Sequence, residues 1–196
     1  MRGLACLLVV VLAGCAVAPV PERPAEEVWR ERQGRLAELQ AWVLTGQLAL
    51  ITEDEGWHGS LRWVQDGQGY EIRITAPLGQ GSVVLRGDGR GVVMRSSREP
   101  RPVSAPDPEA LLRRRLGWDV PLGGLRYWVR GLPDPSLGYS KRLDAYGRLE
   151  RLGQAGWEVR FLGYTRVGRY ELPDKIFMRS GELQVRMVVR DWQPEG

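Results

Sequence analysis

His58 is the single histidine of the chain, and Cys6 and Cys15 are its only thiols, so few routes to covalent chemistry are open. Nucleophilic catalysis needs a nucleophile beside a base, and hydrolysis by other means needs paired carboxylates or a metal cluster. His58 lies between Trp57 and Gly59 in a strand-like stretch, with no H-E-x-x-H or G-x-S-x-G pattern anywhere, and reads as structural. Glu53, Asp54 and Glu55 are consecutive acids at a strand-to-strand turn, where a solvated charge run is the ordinary reading. Gly79, Gly81, Gly87, Gly89 and Gly91 are scattered over hairpins and precede no Lys-Ser/Thr pair, so they form no phosphate loop. These residue types speak against an enzyme and against nucleotide-driven work, and no cofactor or metal is expected.

Cys15 is placed for modification instead. It follows Leu12-Ala13-Gly14, whose small residues suit a signal peptidase, behind the charged Arg2 and an apolar run from Leu4 to Leu12. A membrane-spanning helix needs about 20 predominantly apolar residues. The stretch Leu4 to Val20 contains Gly14 and Pro19 and is too short for that role. Residues 1–14 therefore read as a signal peptide. Leu-Ala-Gly-Cys resembles a bacterial lipobox, and the resemblance implies that the Cys15 thiol takes a diacylglycerol and the freed amine a further acyl chain. At about 0.8 kcal/mol per buried CH₂, several chains give durable attachment. Ala16 stands where enterobacterial lipoproteins kept at the inner membrane carry Asp, which implies the outer membrane.

Removing the first 14 of 196 residues leaves 182, enough for one domain with a substantial core. Of 28 basic side chains Arg2 leaves with the signal, so 27 face 24 acidic ones, a mild excess that does not indicate nucleic acid. With Cys6 removed and Cys15 a thioether, no disulfide can form, and stability must come from packing. Eight Trp against two Phe is an unusual balance, suited both to cores and to wet apolar pockets.

Ala16 to Pro24 carries three Pro and reads as a tether, so residues 15–24 form the lipidated N-terminus and 25–196 the domain. Pro24 to Trp42 has helical spacing at Trp29, Leu36 and Leu39, with Glu26 and Glu27 in the first turn. The period then becomes two: Val43–Ile51, Gly56–Gln65, Tyr70–Thr75, Ser82–Arg86 and Gly91–Arg95 form an antiparallel meander with turns at Asp66-Gly67 and Asp88-Gly89. Pro100 to Pro108 breaks it. Asp107-Pro108-Glu109 predicts a helix start, followed by Leu111, Leu112 and Leu116 before Gly117, with Arg113, Arg114 and Arg115 complementing the dipole at its end. A second short helix spans Leu122 to Arg130. Strands resume at Arg142–Tyr146, Arg148–Gln154, Gly156–Thr165, Asp174–Ser180 and Glu182–Trp192, giving about ten. So long an antiparallel sheet must curl, and helices between its halves can cover the open side. The expected fold is mainly β with an α lid: a single antiparallel sheet curled into an open, half-closed β-barrel around an apolar cavity.

Several segments together resemble one family, the outer-membrane lipoprotein acceptor LolB of Gram-negative bacteria. They are the lipobox, Leu44-Thr45-Gly46-Gln47-Leu48-Ala49, Trp57-His58-Gly59-Ser60-Leu61-Arg62-Trp63, Pro77-Leu78-Gly79-Gln80-Gly81, Leu116-Gly117-Trp118, Arg126-Tyr127-Trp128-Val129-Arg130-Gly131, Gly156-Trp157 and Leu172-Pro173. They span nearly the whole mature chain in family order. The resemblance implies a monomer on the periplasmic face of the outer membrane. Its cavity would receive the acyl chains of a lipoprotein handed over by the soluble carrier LolA and release the cargo into the outer membrane without ATP. It also implies that Leu78, flanked by Pro77 and Gly79, dips into the membrane. By itself Pro-x-Gly is a turn, and an apolar residue at its tip is exposed unless the turn folds back on the core. Trp57, Trp63, Trp118, Trp128, Trp157 and Trp192 are candidates to line the cavity, with plain core packing an equal alternative for each. An anchored carrier of other lipids or apolar ligands, or a non-catalytic assembly lipoprotein, would fit the same residues.

Overall fold

The computed structural model describes residues 23–53, 55–117 and 119–195, and leaves the Leu116 side chain out. The signal, the lipobox with Cys15, nearly all of the tether, Asp54 and Trp118 lie outside the described residues. Helix α1 (Ala25–Ala37) opens the domain with Glu26 and Glu27 in its first turn and Arg35 in its last, as the helix dipole favours. Strands β1 (Ala41–Ile51), β2 (Gly56–Asp66), β3 (Gly69–Thr75), β4 (Ser82–Gly87) and β5 (Val92–Ser96) follow as a meander. After β6 (Val103–Ala105) come helices α2 (Pro108–Leu116) and α3 (Leu122–Trp128), then β7 (Tyr139–Leu143), β8 (Leu149–Gln154), β9 (Trp157–Val167), β10 (Tyr170–Ser180) and β11 (Leu183–Glu195).

All eleven described strands belong to one antiparallel sheet, ordered β6-β5-β4-β3-β2-β1-β11-β10-β9-β8-β7. Its edges, β6 and β7, do not pair with each other, so the barrel is open. Alternation decides which face is inside. In β2, Trp57, Gly59, Leu61 and Trp63 point inward while His58, Ser60 and Arg62 are exposed. In β11, Val185, Met187 and Val189 are buried and Arg186 and Val188 exposed. The helices bury Trp29, Leu36, Leu111, Leu112, Leu125 and Trp128 in the same core, so all three sit on the concave side. Among the described residues no helix is long and apolar enough to cross a membrane.

The Asp107 cap forms as its sequence dictates: Oδ1 accepts from the amides of Glu109 (2.9 Å) and Ala110 (3.1 Å), and Gly117 ends α2 at φ 71°. Other boundaries differ from expectation. Trp42 is already in β1, because α1 stops at Ala37. A short edge strand, β6, lies within the Pro100 to Pro108 stretch expected to be strandless, bracketed by Pro102 and Pro106 where no ladder donor is needed. β7 sits three residues earlier than expected, because Asp144 makes a turn whose Oδ1 accepts from the amides of Tyr146 and Arg148, both at 2.9 Å. β10 extends back through Pro173, at the cost of a register irregularity opposite β9.

Candidate lipid-binding site

Between the curled sheet and the lid lies a cavity of about 60 Å³. The sheet contributes Leu48 and Leu50 of β1, Leu61 and Trp63 of β2, Ile72 and Ile74 of β3, Leu85 of β4, Met178 of β10 and Val185 and Met187 of β11. The lid contributes Leu112 of α2, Leu122 and Leu125 of α3, and Val120 between them. Every lining residue is apolar. Strands β4 and β10 are five places apart in the sheet, about 24 Å if it were flat, so sharing one small cavity requires strong curling.

Of the tryptophans singled out from the sequence, Trp63 lines this cavity, its indole N–H tied to Gln65 Oε1 at 3.0 Å. Trp57 is half-buried, its ring over Gly59, where a Cβ would lie 2.9 Å from it. It lines a second, more polar cleft of about 470 Å³ that shares Leu50 with the apolar cavity and is bounded by Gln80, Ser82, Ser96, Ser97, Arg98 and Arg115. Trp128, Trp157 and Trp192 belong to the core and are not among the residues lining either space. Trp192 packs against Trp42 at 5.2 Å and donates to the Pro173 carbonyl at 2.9 Å. Trp128 and Trp157 stand 6.1 Å apart, and Trp128 donates to Gln154 Oε1 at 2.8 Å. Gln154 in turn bonds the Asp134 backbone through both its amide and its carbonyl, pinning the segment after α3 to β8. The aliphatic wall was missed because Trp was weighted for its size. The inward positions of β1 to β4 carried the signal.

Leu78 sits beyond the rim of the cleft, 95% exposed, where no other large apolar side chain in the described domain exceeds the 51% of Leu162. Its turn is held at the base by Ala76 N–H donating to Gly81 O (2.9 Å), Gln80 N–H to Pro77 O (3.1 Å) and Arg98 Nη2 to Gln80 O (3.3 Å). The tip is left-handed: Leu78 has φ 53°, Gly79 φ 72°. Such a φ is unfavourable for a Leu, so the backbone presents the side chain outward against its own preference. The acids beside the lid are perturbed by burial. It raises the Glu109 carboxyl above its ordinary value, and pushes the Tyr70 phenol up to about 12 with help from Asp88 and Glu109.

The open antiparallel barrel with its helices matches the fold expected from the sequence, and whole-chain comparison decides the family. The family described as Outer membrane lipoprotein LolB matches residues 40–192. The chain belongs to it. A protein named Outer-membrane lipoprotein LolB from Nitrosococcus oceani is 44% identical over 187 residues, covering 94% of this chain and 92% of that one. One of the same name from Pseudomonas putida is 37% identical over 191 residues, covering 95% and 93%. As a member of the LolB family the protein is an outer-membrane lipoprotein. The fold extends beyond the family. A LolA superfamily protein from Nitrosomonas europaea superposes with a TM-score of 0.55 at 8% identity, covering 88% of this chain and 94% of that one. An outer membrane lipoprotein-sorting protein domain from Vibrio parahaemolyticus gives 0.58 at 10% identity with the same coverages.

Proposed function

We propose that the protein, anchored through lipid on Cys15 after removal of residues 1–14, receives acylated lipoproteins from the soluble carrier LolA and inserts them into the outer membrane without ATP. The observation that carries this reading is the pairing of a wholly apolar space under the lid with a fully projecting Leu78. Acyl chains cannot cross water unshielded, since each exposed CH₂ is unfavourable by about 0.8 kcal/mol. The apolar cavity supplies the shield, and Leu78, with Pro77 and Gly79 shaping its turn, supplies a contact with the bilayer. At about 60 Å³ the cavity holds little more than a few waters, so accepting an acyl chain requires α2 and α3 to part from the sheet. In this reading Trp63, on the cavity wall, meets the guest first, and Trp57, in the cleft that shares Leu50, meets it as the space widens. Transfer without nucleotide needs only that affinity rise from carrier to acceptor to membrane.

The test is a transfer assay with the mature lipidated chain. A purified carrier–lipoprotein complex is mixed with it in the absence of nucleotide, and cargo is followed by co-purification. Movement of the acylated cargo onto this protein is expected, and movement of a non-acylated cargo is not. Retention of all cargo by the carrier, or binding of free lipid alone, would overturn the reading.

A further inference from the structure

A pocket of about 240 Å³ adjoins the apolar cavity and shares Trp63, Ile72 and Leu122 with it. Its remaining wall carries polar side chains, Gln65 at the end of β2, Gln68 in the β2–β3 turn, Tyr70 on β3 and Arg126 on α3, between Gly89, Gly91, Gly123, Pro106 and Pro108. The polar groups are unequally satisfied. Gln65 accepts from the Trp63 indole (3.0 Å) and donates to the carbonyls of Gly67 (3.0 Å) and Gly69 (3.1 Å). Arg126 spends Nη1 on Gln68 Oε1 (2.5 Å) and Nη2 on the Tyr127 hydroxyl (3.0 Å). Two donors remain without acceptors, the Tyr70 hydroxyl and Arg126 Nε, both shielded from solvent. A buried donor left unpaired is costly, and two on residues that line one pocket across the seam between lid and sheet need an explanation.

Tyr70 is held there by a missing side chain. It pairs across the ladder with Gly87, where a Cβ would lie 2.5 Å from the Tyr70 hydroxyl and ring. Its raised pKa keeps the phenol protonated, a donor throughout the ordinary pH range. The arrangement therefore offers donors at the polar mouth of an apolar space. The complementary ligand has acceptors without donors attached to alkyl chains, which describes the ester carbonyls of a diacylglyceryl group. We propose that this pocket binds the acyl-ester carbonyls of a diacylglyceryl ligand through Tyr70 Oη–H and Arg126 N–H, while the alkyl chains enter the adjoining apolar cavity. Because Arg126 rides on α3 and Tyr70 on the sheet, parting the lid uncovers both donors as the cavity opens. The site rests on the proposed function but adds to it: chain burial is indifferent to linkage chemistry, whereas this pocket reads it.

Binding is measured by fluorescence polarisation with the purified mature protein in detergent micelles. The ligands are a labelled lipopeptide with an ester-linked diacylglyceryl cysteine and its ether-linked dialkyl counterpart, which keeps the chains but lacks the carbonyls. Labelled diacyl phosphatidylglycerol and its diether form make a second pair. Tyr70→Phe, which removes one hydroxyl, is expected to weaken ester-ligand binding about fivefold and Arg126→Met about tenfold, with ether-ligand binding unchanged. Loss confined to the lipopeptide assigns the site to cargo, and loss confined to the phospholipid assigns it to membrane lipid. Equal affinity of the Tyr70→Phe chain and the unaltered protein for both ester ligands would overturn the proposal. Failure of the unaltered protein to bind either lipopeptide would instead overturn the acceptor function on which it rests.

Discussion

Arg130, just past the end of α3, donates from Nη1 to the carbonyl oxygens of both Leu36 (3.2 Å) and Leu39 (2.5 Å) at the end of α1. Arg130 is only 4% exposed, its Nε is tied to the Arg126 carbonyl (3.0 Å), and burial pulls its pKa down to about 10. One lid helix is thus fastened to the N-terminal helix. Among the described residues α2 is held more lightly: Glu109 Oε1 accepts from the Gly123 amide at 3.4 Å, and the helix's ion pairs, Arg113–Asp119 (2.8 Å) and Arg115–Glu99 (3.6 Å), lie on the surface.

Replacing Arg130 by Met should strip the guanidinium from the Leu39 carbonyl, while Leu36 keeps the Leu39 amide (3.3 Å), and should relieve the burial of a charge. The net loss is expected to be about 2 kcal/mol, a fall in Tm of about 4–8 °C for a domain of this size. Thermal denaturation followed by circular dichroism checks it. An unchanged Tm would show that the Arg130 bonds add nothing to stability.

Leu78 separates stability from work at one position. Leu78→Glu should leave stability within about 0.5 kcal/mol, since the side chain rests against nothing. Leu78→Gly should raise stability by about 1 kcal/mol by removing the left-handed strain. Both should accept cargo yet fail to deliver it to liposomes, as measured by flotation of the cargo with the vesicles. Normal delivery by either variant would remove Leu78 from the mechanism.

Gly46 lies where β1 and β11 shift register, and a Cβ there would come 2.2 Å from the Val188 carbonyl oxygen. Backbone cannot yield as a flexible side chain can. Gly46→Ala is therefore expected to cost about 2–3 kcal/mol, read as a drop in the urea midpoint with unchanged slope.

Glu109 predicts a pH trend. Burial raises its folded-state pKa above the ordinary 4.5, so between those two values the folded chain binds more protons than the unfolded one. Stability attributable to this group is full below the ordinary value and declines as pH rises through the raised one. Glu109→Gln cannot titrate and keeps an acceptor for the Gly123 amide, now 3.4 Å from Oε1. Comparing urea midpoints at about pH 4 and pH 7, the variant should gain on the unaltered protein at the higher pH. A gain at the lower pH would reverse the assignment.

Much of this was legible because it is local. The Asp107 cap, the Gly117 stop and the inward row of β2 follow from residues within a few positions of one another. What was not legible depends on contacts distant in sequence. Nothing near Trp128 or Trp192 says whether an indole faces a cavity or a neighbour, since that is decided by Gln154 and by Trp42 and Pro173. Pro77-Leu78-Gly79 encodes a turn but not its direction, which Arg98 and the Ala76–Gly81 bond settle. Tyr70 opened a strand and Arg126 a family-like segment, but nothing in the sequence joined them until α3 was laid over β3.

The place of β1 in the sheet bears on how the molecule is made. Strands β1 and β11 are neighbours at its middle, with Ala41 opposite Glu195. Each half can zip as a local meander, but the central seam cannot form until β11 is available. Pairing so remote in sequence makes folding slow, and until it is complete the two halves expose opposing apolar faces and unpaired edges. A chain threaded from its N-terminus would therefore stay unfinished until β11 emerges, and its time of greatest aggregation hazard is the interval before that strand arrives.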